Sequence, residues 1–330
     1  MTLVQLRYLV AIADAGLNIT LAAERVHATQ PGLSKQLRQL EDELGFRLFL
    51  RKGKSLQGVT AAGESVLHRA RTILAEAGNI LAIAANLRCE AQGSLRIATT
   101  HTQARFALPD VVGAFTRRHP EVSVHLNPGR EAGVLPQLRA GGVDLAVVSG
   151  SGGPPLTGIA LPAYHWNRTI VVPKDHPFAR RARPPSLEEL AAQPLVGYES
   201  SMLPDSALQR TFVAAGLRPR IAMTAGDGDL IRTYVREGLG VGVLAEMAVS
   251  PDERDLVALP ADHLFDRCTT WIVLRDGLVP RDYLLDFIHE FAPHIDPRDV
   301  RRVVSGEATA GWPAAPHWRQ RGGRTAQETT

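Results

Sequence analysis

The segment from Thr29 to Gly45 constrains the fold of this chain more than any other stretch, because it predicts one helix with both ends marked. Thr29 can cap the helix by accepting a bond from a free amide, and Pro31 is tolerated only in a first turn. Gly45 can adopt the left-handed conformation that ends a helix. An apolar stripe recurs between them at spacings of four, three and four, formed by Leu33, Leu37, Leu40 and Leu44. The segment is therefore predicted to bury one face and expose the other.

The exposed face of this helix carries side chains that suit contact with DNA bases. Amide, hydroxyl and cationic groups lie on its first turns, at Gln30, Ser34, Lys35 and Arg38. Such groups can bond base edges in the major groove. The acids Glu41, Asp42 and Glu43 come only later, and DNA phosphates would repel them. Only the N-terminal half of the helix could therefore enter a groove, which is how recognition helices dock. The alternative is a polar face that is simply solvated.

Two shorter amphipathic helices are predicted upstream, and they favour the DNA-binding interpretation. The first contains Leu6, Leu9, Val10 and Ala13. The second is predicted to be capped by Thr20 and to run to Val26. Residues 27–30 then separate it from the next helix, which is the spacing of a helix-turn-helix, although the glycine often found in that turn is absent.

A β-hairpin is predicted after Gly45, like the wing of a winged helix-turn-helix. Short apolar arms around Phe49 and Leu56 flank a basic turn at Gly53. The net charge of the whole chain is only +3, so affinity for nucleic acid must come from a local patch. That patch comprises Arg47, Arg51, Lys52 and Lys54, whose cations can contact phosphates or the minor groove. An ordinary exposed hairpin is the alternative.

A long helix is predicted to begin after the cap Thr60 and to run to about Arg88. Large apolar residues and alanines alternate along it at heptad spacing, at Val66, Ala70, Ile73, Ala77, Ile80, Ala84 and Leu87. This pattern is typical of a dimerisation seam with close backbone approach. The helix would span about 40 Å, long enough to hold two reading heads on successive turns of DNA. It could instead pack on its own chain.

The sequence changes character at Ala91, where predicted strands begin to alternate with helices. The strands are Leu95–Ala98, Val122–Leu126, Asp144–Ser149, Thr169–Val172, Leu195–Tyr198, Gly240–Leu244 and Thr270–Leu274. Alternation of this kind implies an α/β architecture, with a mainly parallel sheet covered by helices on both faces. The strands fall in two sets, so we expect two lobes joined by crossing strands, with a cleft that can close on a small ligand.

At 330 residues the chain is expected to hold two or three domains. We predict a winged helix-turn-helix (1–59), a dimerisation helix (60–90) and a two-lobed effector-binding domain resembling periplasmic binding proteins (91–302). Lobe I comprises 91–163 and 268–302, and lobe II comprises 164–267. Residues 303–330 consist largely of Gly, Ala, Pro, Arg and Thr without any period, so we predict that this tail is disordered.

A candidate anion site follows the first strand of the predicted α/β domain. Thr100, Thr102 and Gln103 stand where that strand meets a helix, and Ser149 ends another strand. Ligands bind beyond the carboxyl ends of such strands, and a helix N-terminus offers free amides to an anion. Hydroxyls and an amide without nearby Lys or Arg suit a small oxyanion or an amino-acid carboxylate. The alternative is that these residues merely cap the helix.

Other classes of site find little support in the sequence. Cys89 and Cys268 cannot build a disulfide framework, and no Cys/His cluster suggests a metal, so we expect no metal or cofactor and a reducing compartment. His101, Asp144 and Ser149 could be read as a catalytic triad, but no GxSxG elbow surrounds Ser149. Residues 238–242 resemble half a dinucleotide fingerprint that precedes a strand instead of following one. Without a basic leader or an apolar span, we expect a cytoplasmic protein and no membrane partner.

The chain resembles the LysR-type transcriptional regulators over about residues 1–300. Residues 22–24, 29–36 and 40–45 match the reading head of that family, and residues 98–105, 164–168 and 233–236 match its CysB/Cbl subgroup of sulfur-assimilation activators. The resemblance implies a non-enzymatic tetramer that bends DNA, and an effector domain that binds sulfate or an acetylated serine. By this resemblance, Thr100, Thr102 and Gln103 would contact the anion. The predicted DNA-binding residues are Thr29, Gln30, Pro31, Ser34, Lys35, Arg38, Arg51, Lys52 and Lys54.

Two positions depart from the subgroup pattern. Ser149 replaces a threonine but keeps the hydroxyl. The loop at residues 201–205 lacks the expected threonine, glycine and arginine, with Leu203 at the threonine position and the carboxylate of Asp205 nearby. Loss of one hydrogen bond to a buried anion costs about 1.5 to 3 kcal/mol, enough to change ligand preference.

The expected partners are promoter DNA, a small anionic effector such as sulfate, thiosulfate or acetylserine, and further copies of the chain joined through residues 61–88. RNA polymerase is a further candidate partner. Two alternatives remain: a regulator of an unrelated pathway with a different small carboxylate effector, and an enzyme on a two-lobed fold whose N-terminal helices serve only assembly.

Overall fold

The computed structural model describes residues 1–53, 55–204, 206–250 and 253–320. The chain divides into two compact units, Met1–Glu90 and Ala91–Thr330. The first unit contains four helices and one hairpin within its described residues: α1 (Leu3–Asp14), α2 (Ile19–Arg25), α3 (Gln30–Leu44), β1 (Phe49–Lys52), β2 (Ser55–Val59) and α4 (Ala61–Leu87).

The ends of these helices follow from local side-chain bonds. The hydroxyl of Thr29 accepts the Gly32 amide at the start of α3, and Gly45 ends that helix in the left-handed conformation with φ of +77°. Thr60 caps α4. The second helix differs from the prediction, because Asn18 caps it instead of Thr20 and helix α2 begins one residue after that cap. An Asn side chain caps as well as Thr, so either position was chemically suitable.

The turn between α2 and α3 has a histidine in the left-handed conformation that glycine often supplies. His27 adopts a left-handed φ of +52°, a conformation that His takes more readily than most non-glycine residues. The turn therefore closes without glycine. The core of this unit includes Leu33, Leu37 and Leu40, each at most 2% exposed, packed with apolar residues of α1, α2, the hairpin and α4.

The predicted wing is present as the antiparallel pair β1 and β2. Gly53 turns the hairpin with φ of +62°, while Leu48, Phe49 and Leu56 anchor its base in the core. The register shifts between Leu50 and Arg51. A β-bulge of this kind twists a hairpin locally. Lys54 lies outside the described residues.

The second unit consists of two lobes, each built on a five-stranded sheet. The sheet of lobe I has the order β4-β3-β5-β12-β6, and its strands are β3 (Gly93–Thr100), β4 (Val122–Gly129), β5 (Leu145–Gly150), β6 (Ile159–Trp166) and β12 (Cys268–Leu274). The sheet of lobe II has the order β11-β7-β10-β8-β9, from β7 (Arg168–Pro173), β8 (Pro194–Tyr198), β9 (Arg220–Ala225), β10 (Val241–Ala245) and β11 (Leu256–Pro260).

Helices cover the sheets. They are α5 (His101–Phe106), α6 (Pro109–Arg118), α7 (Glu131–Arg139), α8 (Leu187–Ala191), α9 (Ala207–Ala214), α10 (Gly228–Arg236), α11 (Asp282–Phe291) and α12 (Pro297–Val304). The prediction of a mainly parallel sheet is wrong, since both sheets are mixed. Strand β12 runs antiparallel to β5 and β6, and β7 runs antiparallel to β10 and β11, whereas the remaining pairs are parallel. Antiparallel pairs arise because the chain crosses from one lobe to the other and back.

The lobe boundaries also shift. Strand β6 belongs to lobe I and runs to Trp166, so the predicted start of lobe II at 164 falls inside a lobe I strand. The first crossover is the single residue Asn167 between β6 and β7, and the second is the segment 261–267 between β11 and β12. No helix among the described residues combines the length and apolar character that a bilayer crossing requires.

The prediction that residues 303–330 are disordered is wrong as far as residue 320. Helix α12 continues to Val304. The chain then runs beside lobe I, where the backbones of His317 and His165 of β6 form an isolated parallel β-bridge. Trp312 and Trp318 pack against the lobe I core. Two large aromatic side chains supply the apolar area that a Gly- and Pro-rich segment otherwise lacks. Residues 321–330 lie outside the described part of the chain.

Candidate DNA-binding face and effector cleft

The first turns of α3 present the predicted polar face to solvent. Gln30, Pro31, Lys35 and Arg38 are exposed, Thr29 is exposed at the cap, and Ser34 is half-buried. The Gln30 side-chain amide donates to the Ser34 hydroxyl at 3.3 Å, which pre-orients both groups on one side of the helix. The predicted base-contacting side chains thus lie together on a surface, with the basic hairpin in the same unit.

Glu41 behaves unlike its acidic neighbours on α3, because it is buried to 2% exposure. Its carboxylate accepts bonds from the Leu48 amide at 2.9 Å and from the guanidinium groups of Arg47 at 2.9 Å and Arg51 at 3.1 Å. Burial alone would raise the pKa of Glu41, but the bonds from the Leu48 amide and the two arginines outweigh it and hold that pKa below its usual value. This carboxylate therefore ties the wing to the recognition helix.

The basic patch of the wing is consequently divided between two roles. The Arg51 guanidinium is committed to Glu41 and is only 25% exposed, so its predicted contact with DNA competes with a structural ion pair. Lys52 is exposed at the end of β1. Sequence reasoning missed the role of Glu41, because it sits in a run of acids that looks uniformly solvated.

Helix α4 presents the apolar residues of the predicted seam to solvent along its second half. Ile80 is 66% exposed and Leu87 is 81% exposed. Leu81 and Ile83 flank this stripe and are exposed as well, so the apolar face there is broader than the predicted heptad seam. A surface of this kind is the expected contact for a further helix.

The second candidate site is a cavity of about 640 Å³ that is lined by residues of both lobes. Thr100, Thr102, Gln103 and Ser149 all line it, as predicted from the sequence. Thr100 ends β3 and caps α5, accepting the Gln103 amide at 3.5 Å. The structure thus brings together the four predicted residues, and the volume is that of a small-molecule site.

A buried polar network forms the floor of this cavity. Gln103 is 1% exposed, and its side-chain amide donates to the hydroxyls of Ser149 at 3.0 Å and Thr270 at 3.4 Å. The Tyr164 hydroxyl donates to the Gln103 carbonyl oxygen. Strand register explains the meeting, because Thr270 of β12 pairs with Ser149 of β5 on one side and with Tyr164 of β6 on the other.

Trp166 completes this floor network by donating its indole N–H to the Thr270 hydroxyl at 3.1 Å. Sequence reasoning missed Thr270 as a site residue, and it singled out Tyr164 and Trp166 only as part of a family pattern. The alternation of Tyr and Trp in a strand that pairs with β12 was the available signal. Because the side chain of Gln103 is held inside the floor, a ligand would meet the hydroxyls of Thr100, Thr102 and Ser149 more directly.

Charged groups converge on the cavity from both lobes, contrary to the expectation of a site without nearby arginines. Arg130, Arg168 and Arg210 line it together with Glu131 and Glu199. Burial raises the pKa of Glu131, opposed by the Ser200 hydroxyl and the Arg168 guanidinium. Burial likewise raises the pKa of the Cys268 thiol, opposed by Arg168. Three cations and two carboxylates suit a small ligand that carries negative charge.

Ion pairs connect the two lobes at the cleft. Arg130 lies 3.4 Å from Glu199, and Arg105 of α5 pairs with Asp229 of α10. Leu203, which the resemblance places at a threonine position, lines the cavity. Asp205, the expected carboxylate of that loop, lies outside the described residues.

The described residues do not assemble the alternative enzyme site. Asp144 accepts bonds from the backbone amide and guanidinium of Arg96, Ser149 is bonded to Thr270, and His101 is exposed. The described part of the chain holds no group of three side chains suited to a metal ion. Residues 238–240 form the turn from α10 into β10, as the order of motif and strand predicted.

Both units match families of known proteins. A family model described as "Bacterial regulatory helix-turn-helix protein, lysR family" matches residues 3–64, and one described as "LysR substrate binding domain" matches residues 89–295. The chain is 42% identical over 293 residues to the HTH-type transcriptional regulator CysB of Haemophilus influenzae, covering 88% of this chain and 90% of that protein.

Two further relatives agree. The chain is 36% identical to the HTH-type transcriptional regulator cbl of Escherichia coli, covering 91% of this chain and 95% of that protein. A crystal structure of the cofactor-binding domain of the Cbl transcriptional regulator superposes with a TM-score of 0.60 at 35% identity, covering 65% of this chain and 94% of that chain.

Proposed function

The chain belongs to the LysR family of DNA-binding transcriptional regulators, and on that basis we propose that it controls sulfur-assimilation genes in response to a small anionic effector. The prediction that the chain is a regulator and not an enzyme is confirmed by the family. The observation that supports the effector is the polar cavity between the lobes, in which hydroxyls and arginines converge. The CysB/Cbl subgroup, to which the motifs point, supports the sulfur pathway.

The DNA-reading assignment rests on the exposed face of α3. We propose that Gln30, Ser34, Lys35 and Arg38 contact base edges, with Thr29 and Pro31 at the helix start near the backbone. Lys52 supplies a phosphate contact from the wing, together with Lys54. Arg51 contributes mainly by fixing the wing through Glu41.

Arg38→Ala should weaken binding at one operator position by about 1 to 3 kcal/mol, because a bidentate contact with one base is lost. Lys52→Ala should weaken binding to all sequences alike and reduce the salt slope by about one, because only a phosphate contact is lost. Footprinting and salt titration on an operator and on random duplex measure both effects. Equal losses on the two duplexes for Arg38→Ala would contradict its assignment to base reading.

The effector is proposed to be sulfate, thiosulfate or an acetylserine-like anion bound by the hydroxyls of Thr100, Thr102 and Ser149 over the Gln103 floor. Arg168 and Arg210 provide compensating charge. Because Leu203 cannot donate a hydrogen bond, ligand preference within this set can differ from that of the relatives. A small carboxylate of another pathway is the alternative effector.

Thr100→Val should lower the affinity of the full chain for its effector by about tenfold to one-hundredfold, because the valine keeps the shape but loses the hydrogen bond to the anion, together with the bond that caps α5. Calorimetric titration with sulfate, thiosulfate, O-acetylserine and N-acetylserine measures this. Thr116→Val is the control, since that residue is exposed on α6 and its hydroxyl bonds only the backbone carbonyls of Val112 and Gly113 in its own helix. Unchanged affinity in Thr100→Val would contradict the proposed site.

The proposed assembly is a dimer formed through the apolar face of α4 within residues 61–88, and two dimers form the tetramer. Family members bind DNA and form oligomers, which supports this assembly. A regulator of promoters works where the genome lies, so we place it in the cytoplasm, with RNA polymerase as a candidate partner.

A further inference from the structure

The C-terminal segment 312–320, here called the strap, lies along the outer strand of lobe I. The His165 amide donates to the Pro316 carbonyl at 2.9 Å, and the His165 ring Nδ1 bonds the Ala315 carbonyl at 2.9 Å. Trp312 and Trp318 pack against the lobe I core. The strap is thus held by backbone bonds, a side-chain bond and apolar contacts, although it has almost no regular secondary structure of its own.

The strap also reaches the first crossover between the lobes. His317 Nε2 lies 2.9 Å from Glu246 Oε1, and that same oxygen accepts the Asn167 amide at 2.7 Å. The Glu246 amide in turn donates to the Asn167 carbonyl at 3.0 Å. Asn167 is the single residue between β6 and β7 and is here called the hinge. Glu246 therefore bonds both backbone groups of the hinge. His317 therefore holds the Glu246 side chain, which in turn holds Asn167.

The strand that carries the strap also carries the floor of the cleft. Along β6, His165 bonds the strap, whereas its neighbours Tyr164 and Trp166 bond Gln103 and Thr270 of the floor. Side chains alternate across a strand, so one short motif connects two faces. A displacement of His165 would move both floor donors with it.

We propose that the strap is a positioning element of the effector cleft, and that His317 is a positioning residue. It holds the Asn167 hinge and the Tyr164 and Trp166 donors in the arrangement in which the cleft receives its ligand. A docked strap reduces the conformational freedom that ligand binding must otherwise remove, which raises affinity. This goes beyond the proposed effector, because it assigns a role to a segment outside the cavity.

Hydrogen exchange on the full chain tests the strap without any ligand. In His317→Ala we expect the amides of residues 165–167 and 246 to exchange about tenfold faster, while amides of β3 and β4 keep their rates. His317→Gln, which retains a donor, should restore most of the protection. Glu307→Ala is the matched control, since its side chain is exposed before the strap begins.

A chain that ends at residue 308 provides a second test, because it removes the acceptor of the His165 amide. It should show the same local loss of protection, or a larger one. Unchanged exchange at residues 165–167 in both variants would overturn the proposal, as would an equal rise throughout the second unit, which would indicate general destabilisation.

The expected effect of the strap on ligand affinity rests on the proposed function. For sulfate and O-acetylserine we expect His317→Ala to weaken binding about three- to tenfold, and unchanged affinity would overturn the positioning role. If the wild-type chain binds neither compound, the proposed effector fails. The exchange measurements then decide on the strap alone, so the two failures are distinguishable.

Discussion

Glu41→Gln should lower the free energy of unfolding of the N-terminal unit by about 1.5 to 3 kcal/mol, because the charge-assisted hydrogen bonds from Arg47 and Arg51 to this buried group are lost. The amide keeps one acceptor oxygen for Leu48, but its NH₂ group then stands where the oxygen that accepts from both Arg47 and Arg51 had been. Chemical denaturation followed through hydrogen exchange of α3 amides measures this unit by itself.

Glu43→Gln is the matched control on the same helix. Its carboxylate is 52% exposed and pairs with the N-terminal ammonium of Met1. Removing an exposed ion pair of this kind costs at most about 1 kcal/mol. Similar losses in the two variants would show that Glu41 does not hold the wing.

The pH dependence of the same unit follows from Glu41. Its pKa in the folded chain lies below the ordinary value of 4.5, so its contribution is fully present above that pH and is lost as the pH falls through the folded pKa. Glu41→Gln removes this dependence. We therefore expect the acid limb of its stability profile to be flatter than that of wild type.

Ile80→Glu should raise the dissociation constant of the dimer by about 100-fold or more, because it places a carboxylate in an apolar seam without a partner. Ile80 is 66% exposed in the single chain, so the fold of the protomer should be unaffected. Sedimentation equilibrium measures the loss of dimer. Operator affinity should fall with it, since a single reading head loses the gain from binding two half-sites.

Thr72→Glu is the matched control for the seam. It adds the same charge to α4 at an exposed position outside the apolar stripe, and like position 80 it lies four residues from Glu76. We expect it to dimerise as wild type does. Dissociation of both variants would indicate a general charge effect, and dimerisation of Ile80→Glu would move the interface away from this stripe.

Local rules were sufficient for the elements whose ends and faces are encoded nearby. Thr29, Gly45 and Thr60 end their helices as predicted, because capping and left-handed turns depend only on adjacent residues. The four predicted residues of the cleft also meet, since strand ends converge at one edge of a sheet.

Features that depend on distant parts of the chain were not predictable in this way. Glu41 looks solvated until the wing returns Arg47 and Arg51 to it, and Arg210 reaches the cleft from the other lobe. Strand β6 contains Pro162, a residue type that argues against a strand when only the sequence is read. Strand β9 lies at a sheet edge, where most of its side chains are exposed and no alternation appears.

The strap shows the limit of composition as a guide. A segment rich in Gly, Ala and Pro indicates disorder when averaged, but the apolar contacts of Trp312 and Trp318 help to dock it against lobe I. The residues that receive it, His165 and Glu246, lie far away in sequence.

The floor of the cleft also sets an order of events during synthesis. Gln103, Ser149 and Tyr164 must wait for Thr270 of β12, whereas the reading head needs nothing beyond its own unit. A nascent chain emerges from the ribosome N-terminus first, so the head can fold on the order of tens of seconds before the floor closes. A translating polysome would therefore carry folded reading heads that can bind DNA before the effector cleft of the same chain is complete.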